Sequence, residues 1–161
     1  MASDNIYSVP EFQLKNFYST NIEAGCTPVA SGWDTPPSSL DKMVDGDPNT
    51  VTGDGADSPS DGTIKIDLLY VYRVTNIRLK YSGTTQIGAA SILRGYWYVS
   101  EDDVTWHNFY TGNLNQSSFS HDGVHDVYRR ARYVKFQLYQ CGSSTINAIR
   151  FNLVSINGWR F

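Results

Sequence analysis

Residues 63–82 read TIKIDLLYVYRVTNIRLKYS, and two runs inside this stretch decide the architecture. Ile64, Ile66 and Leu68 alternate with Thr63, Lys65 and Asp67. Further on, Ile77, Leu79 and Tyr81 alternate with Asn76, Arg78 and Lys80. Successive side chains of a strand point to opposite faces, so each run has one apolar and one wetted face. Joined by residues 69–75, the two runs predict adjacent antiparallel strands, with one side on a core and the other in water. Such a pair is the floor of a β-sandwich and carries no chemistry by itself.

Downstream, Leu93, Gly95, Trp97 and Val99 alternate with Arg94, Tyr96 and Tyr98; 100–104 reads as a turn and 106–110 as a strand. After a turn at 112–116, short strands are expected near 117–120 and 124–128. Residues 132–139 and 146–156 close the domain, the latter with Ile149, Phe151 and Leu153 on one face. Upstream, 27–31 predicts a strand. Pro36 and Pro37 make 32–39 a loop, because proline neither donates to a ladder nor continues a helix. One helical turn is expected at 40–44, then a long Asp-, Gly-, Ser- and Pro-rich loop over 45–62, a length that usually signals function or mobility. No segment offers a sustained helical stripe. The reading is all-β: a single jelly-roll β-sandwich of about eight main strands over residues 21–156. An N-terminal arm (1–20) precedes it and a C-terminal tail (157–161) follows.

The 161 residues suffice for one domain with a core, and 40% hydrophobic against 18% charged residues mark a globular chain. A net charge of −3 argues against a nucleic-acid binder. Its distribution is uneven: Asp41, Asp45, Asp47, Asp54, Asp57 and Asp61 crowd one stretch, and Arg129, Arg130, Arg132 and Lys135 another. No apolar run reaches the ~18 residues of a membrane span. Residues 1–16 lack the basic start and apolar stretch of a signal peptide. Cys26 and Cys141 either pair across the sandwich or remain free thiols.

Several stretches resemble one family in that family's order. Residues 21–31, NIEAGCTPVAS, resemble the opening strand of the discoidin family, also called coagulation factor 5/8 type C, which includes galactose-binding-like carbohydrate modules. Asp45-Gly46-Asp47-Pro48-Asn49-Thr50 is similar to its DG-x-x-x-T turn, and Ile64-Lys65-Ile66-Asp67-Leu68 to its I-x-I-D-L strand. Residues 98–106 resemble its V-S-x-D-G-x-x-W hairpin, and Ala131-Arg132-Tyr133-Val134-Lys135-Phe136 its A-R-Y-V-x-(I/F) strand. The resemblance covers residues 21–154. It implies an eight-stranded jelly roll that binds glycans, lipid or protein surfaces without catalysis. It also implies a structural calcium at the DG turn, completed by a Glu near the last strand, where this chain has Ala148. The Trp that usually follows the turn is replaced by Val51-Thr52-Gly53.

The metal candidates are Asp45, Asp47 and Thr50, because Ca²⁺ takes six to eight oxygens and a tight turn can aim carboxylates, a hydroxyl and carbonyls at one point. The bland alternative is an Asp/Gly turn held by its own hydrogen bonds. An EF-hand is excluded by Thr50 and Ala56 at its glycine and glutamate positions. His121 and His125 have a helical zinc spacing, but on a strand such residues stand ~13 Å apart, so a surface hairpin is the expectation. No catalytic motif is present. The aromatic content, 11 Tyr, 4 Trp and 7 Phe, exceeds what the core needs and points to a recognition surface. Trp33, in the proline loop, with Tyr81 and Arg94 flanking 83–91, are the ligand-binding candidates. Trp33 serves equally as a lid on the core. The expected function is glycan recognition and attachment through loops at one end of the jelly roll, extracellular or on a virion surface. The alternative is a decoration protein of a viral particle that assembles through its N-terminal arm into an oligomer.

Overall fold

The computed structural model describes residues 18–19, 21–47, 49–57, 62–88, 92–141 and 144–160. They form strands β1 (Tyr18–Ser19), β2 (Pro28–Ser31), β3 (Gly55–Asp57), β4 (Thr63–Gln86), β5 (Ile92–Ser100), β6 (His107–Asn113), β7 (Ser118–Cys141) and β8 (Thr145–Arg160), with one 3₁₀ turn at Leu40–Met43. All pair antiparallel in one eight-stranded sheet along the path β1-β8-β4-β7-β5-β6, with β2 against β4 and β3 against β8. The architecture is all-β, as expected. The expected arm lies outside the described residues, apart from Tyr18 and Ser19, which pair with Trp159 and Gly158. No helix among the described residues is long and apolar enough to cross a membrane.

Residues 69–75 do not form the expected hairpin. β4 is one strand of 24 residues. Its first half pairs with the far half of β7 (Ile64 with Phe136, Ile66 with Val134), and its second half with the near half (Ile77 with His125, Tyr81 with His121). The register slips between them, Asp67 facing Tyr133 and Tyr72 facing Ala131. Here Asp67 Oδ1 accepts the Leu69 N–H at 2.8 Å and Leu69 takes a left-handed φ of 69°. The extra residues bulge and bend the strand instead of reversing it, since β7 can satisfy the backbone of both halves. β7, also 24 residues, bends alongside, so the breaks expected between 117–120, 124–128 and 132–139 are absent as well. β8 likewise runs on through 157–160, the stretch read as a tail, because Trp159 pairs with both Arg73 and Tyr18.

The bend folds the sheet onto itself, and the apolar faces of the two halves meet. Phe136 of β7 lies 4.7 Å from Phe151 of β8, ring centre to ring centre, and Trp97 of β5 lies 5.1 Å and 6.1 Å from them. All three are essentially buried, as are Ile64, Ile66, Ile77 and Leu79. Each such side chain contributes about 1.5–3 kcal/mol of burial free energy. Cys26 is buried and Cys141 exposed; both are free thiols, so the pairing alternative falls away.

One buried carboxyl ties the start of the domain to its end. Glu23 is fully buried; its Oε2 accepts the Ile156 N–H at 2.7 Å, while Ile22 N–H donates to the Ile156 carbonyl at 3.1 Å. Burial pushes the Glu23 pKa up to about 7, against the opposing pull of its own backbone N–H and that of Ile156. A raised carboxyl pKa means that protonated Glu23 contributes stability present below its ordinary value and lost as pH rises through about 7. Glu23→Gln should therefore match the wild type near pH 4.5 and exceed it increasingly up to pH 7, by roughly 3 kcal/mol in denaturant titrations. A constant difference across this range would show that the Glu23 carboxyl titrates alike in the folded and unfolded chain.

Candidate functional site

The three ligand-binding candidates occupy different places. Trp33 lids the core: its Nε1–H donates to the Thr63 carbonyl at 2.9 Å, and its ring stacks on Phe136 at 6.3 Å and meets Phe151 edge-on at 6.2 Å. Tyr81 points inward and is only 5% exposed, with its hydroxyl 3.1 Å from that of Tyr110. Arg94 is exposed on the opposite side of the sheet, since β5 alternates outward Arg94, Tyr96 and Tyr98 with buried Leu93, Gly95, Trp97 and Val99. These residues therefore form no common site.

Arg94 leads instead to a surface that sequence reading missed. On the outer face of β5 and β7, Arg94 stands opposite Tyr139, Tyr96 opposite Gln137 and Tyr98 opposite Lys135. The Tyr96 ring lies 6.1 Å from Tyr98, nearly parallel, and 6.1 Å from Tyr139, edge-on. Lys135 Nζ sits 4.1 Å from the Trp106 ring centre and 5.0 Å from Tyr98. Beside it, Lys65 Nζ bonds Asp103 Oδ2 at 2.6 Å. Lys65, Lys135, Trp106 and Val29 border a depression of about 470 Å³.

The turn before β6 fixes Asp103 and Trp106. The Asp102 carboxylate accepts the N–H groups of Val104 at 2.9 Å and Thr105 at 2.7 Å, which hold its pKa well below the usual carboxylate range. Two members of the basic run on β7 are neutralised locally. Arg132 grips Asp67 with two bonds of 2.8 and 2.7 Å, and Arg130 reaches Glu101 at 2.7 Å. The alternation of 94–98 was legible in the sequence; that β7 lays Tyr139 and Lys135 beside it required the register.

The metal candidates do converge. Thr50 Oγ1 lies 2.8 Å from Asp45 Oδ2 and 3.0 Å from the Asp47 carbonyl, and 3.4 Å from the Lys42 carbonyl. The Asp47 carboxylate caps the Asn49 N–H at 2.9 Å. The residue that faces this turn from β8 is Asn152, and Ala148 lines a separate depression with Gly83. The position expected to carry the family's Glu is thus corrected from Ala148 to Asn152. Its Nδ2 donates to the Asp47 carbonyl at 2.7 Å and to that of Thr50, while its buried Oδ1 has no partner among the described residues. Turning the amide over would swap the two atoms and present Oδ1 to the same carbonyls. The donor set of Asp45, Thr50, three carbonyls and Asn152 Oδ1 is all oxygen and suits a hard cation.

His121 and His125 lie on the inward face of a continuous β7, and the expected surface hairpin does not form. Their side chains lean toward each other, bringing Nε2 to Nε2 at 2.8 Å, and the Tyr110 ring stacks on His121 at 4.7 Å and lies tilted over His125 at 4.0 Å. A Cβ at Gly123 would sit 3.0 Å from His121 Nε2, so the missing side chain makes room for the pair. Tyr110 Oη reaches His121 Nδ1 at 3.1 Å and Tyr81 Oη at 3.1 Å. A Cβ at Gly112 would fall 2.2 Å from Tyr81 Oη, which excludes any side chain there. One proton bridges the two Nε2 atoms; two imidazolium rings would oppose N–H to N–H. Burial lowers both histidine pKa values, so the neutral pair contributes stability above the ordinary histidine range that is lost as pH falls through the depressed values. Between pH 7 and 5 the wild type should lose melting temperature relative to His121→Gln/His125→Gln measured in the same buffers, the opposite contribution of Glu23 being common to both proteins. Equal slopes in both proteins would remove the pair as the cause.

The family model for the F5/8 type C domain matches residues 22–151. No curated protein matches the chain in sequence. Among solved structures, the chain is similar to CpGH89CBM32-4 of Clostridium perfringens, in complex with GlcNAc-alpha-1,4-galactose. Identity is 14%, covering 83% of this chain and 92% of that one, at a TM-score of 0.53. It is also similar to a selenomethionine-labelled mutant of chitosan-binding module 1 from a chitosanase/glucanase of Paenibacillus sp. IK-5. There identity is 18%, covering 86% of this chain and 98% of that one, at a TM-score of 0.51. Against a family 89 glycoside hydrolase of C. perfringens, identity is 20% over 86% of this chain, at a TM-score of 0.47, and the chain spans only 14% of that enzyme. At these identities the likeness is one of fold.

Proposed function

The chain belongs to the F5/8 type C domain family, and from that footing we propose that it is a non-catalytic glycan-binding module whose ligand lies across the outer face of β5 and β7. The observation that carries this reading is the row of Tyr96, Tyr98 and Tyr139 rings on paired strands, with Arg94 at its end. Sugar C–H faces pack on aromatic rings, and Gln137, Asn113 and Arg94 supply donors and acceptors for hydroxyls. Side chains two apart on one strand face stand about 6.6 Å from each other, so neighbouring rings can meet successive sugars of a chain. Strands hold such groups more firmly than loops do, which limits the entropy lost on binding. The same fold in C. perfringens is solved with GlcNAc-alpha-1,4-galactose, which makes glycans the first ligands to test. A module of this kind works where polysaccharide is met, outside the cell.

Calcium at the 45–50 turn belongs to this reading. Asp45, Thr50, the carbonyls of Lys42, Asp47 and Thr50, and Asn152 after an amide turn would hold it. The ion would pin the turn to β8 and take no part in chemistry. Neutral Asn152 in place of a carboxylate leaves the site short of charge, so affinity should sit near the weak, millimolar end of protein calcium sites. In thermal melts, ~10 mM CaCl₂ should raise the midpoint by a few degrees over EDTA. Asn152→Asp should reach the same rise at lower calcium. No shift in either protein would remove the ion from the reading.

Tyr96→Ala should weaken binding to an oligosaccharide ligand about tenfold, or roughly 1.4 kcal/mol, by titration calorimetry. Tyr128→Ala, which removes an exposed ring elsewhere, should leave it unchanged. Equal affinities for all three proteins would overturn the location.

A further inference from the structure

We propose that the ligand class of this face is an acidic glycan, a uronic-acid oligomer whose carboxylate is taken by Arg94; this rests on the glycan-binding reading above. The chain as a whole carries a net charge of −3. The face around β5 and β7 is the reverse. Arg94, Lys135, Lys65 and Arg132 stand there against Asp67 and Asp103, and both carboxylates are engaged, by Arg132 at 2.7 Å and by Lys65 at 2.6 Å. Lys135 lies over the Trp106 and Tyr98 rings, with no carboxylate in bonding range among the described residues. Arg94 is exposed and makes no ion pair or hydrogen bond to any described residue, and its cross-strand neighbours are Tyr139 and Asn113. An unengaged guanidinium between two tyrosines and an amide is a cation set among neutral groups.

The geometry of that cation selects the anion. A guanidinium offers two parallel N–H groups that match the two oxygens of a carboxylate. A uronate bears its carboxylate directly on the sugar ring, so one sugar can present its acid to Arg94 and its C–H face to Tyr96 or Tyr139. Lys135 stands four residues from Tyr139 along β7, about 13 Å away, where a later acid of the same oligomer can approach a second positive charge. A neutral glycan would leave both charges without a counter-ion.

The test compares an oligogalacturonate with its methyl ester, which keeps the sugars and removes the charge. Wild-type protein should bind the free acid at least tenfold more tightly than the ester, and this preference should shrink as salt is raised. Arg94→Gln should weaken the free acid at least tenfold and the ester, which loses only a hydroxyl contact, far less, so that most of the preference disappears. Arg94→Lys should keep the salt dependence but lose several-fold affinity for the acid. Acid and ester binding equally, both weakened by Tyr96→Ala, would overturn the acidic class and leave the glycan face standing. Failure of these and of neutral oligosaccharides to bind at all would instead overturn the glycan reading. Arg94→Lys matching wild type, or a sulfated oligomer binding as tightly as the uronate, would overturn recognition through a carboxylate.

Discussion

The contact between Phe136 and Phe151 is the constraint on which the molecule depends. These rings belong to strands from the two halves of one sheet, and they touch only because β4 and β7 bend together near Asp67 and Tyr72. Once closed, the fold commits every inward residue to the core, with Trp97 filling one side and Trp33 covering the edge. Outward residues are then free to be tyrosine, arginine and amide without loss of stability. The surface assigned to the ligand is therefore the complement of this packing, and its residues alternate with the core residues of the same strands.

Much of this was legible from sequence, for definable reasons. The period of two in Ile64–Leu68 and Ile77–Tyr81 gave correct inward and outward faces, since alternation is local. The Asp102 turn was legible because its side chain bonds N–H groups two and three residues ahead. Residues 69–75 misled because a bulge and a hairpin share the same apolar-polar flanks, and only β7, far along the chain, decides between them. Tyr81 was also offered as a ligand contact, and Trp33 as either a ligand contact or a lid on the core, because a ring on a loop or strand end does not announce which way it points. The partnership of Arg94 with Tyr139 depends on register, which no local pattern encodes.

Two polar clusters show how the fold handles groups it does not leave to water. Asn152 sends its amide into a knot of carbonyls, and Glu23 accepts a backbone N–H deep under β8. Each replaces part of its solvation with a directed bond, while Glu23 Oε1 and Asn152 Oδ1 stay buried without a partner among the described residues. The histidine pair follows the same logic with a tighter limit, because its bridge holds a single proton.

The long bent strands also govern how the chain reaches this state. Ile64 must find Phe136, and Arg73 must find Trp159, so each half of β4 waits for residues synthesised much later. Pairing of this kind closes large loops before any contact rewards it, which places acquisition of structure on the millisecond-to-second scale typical of all-β topologies. During translation only β2 is already available to pair with the first half of β4, and the ribosome must deliver β8 before the core can seal.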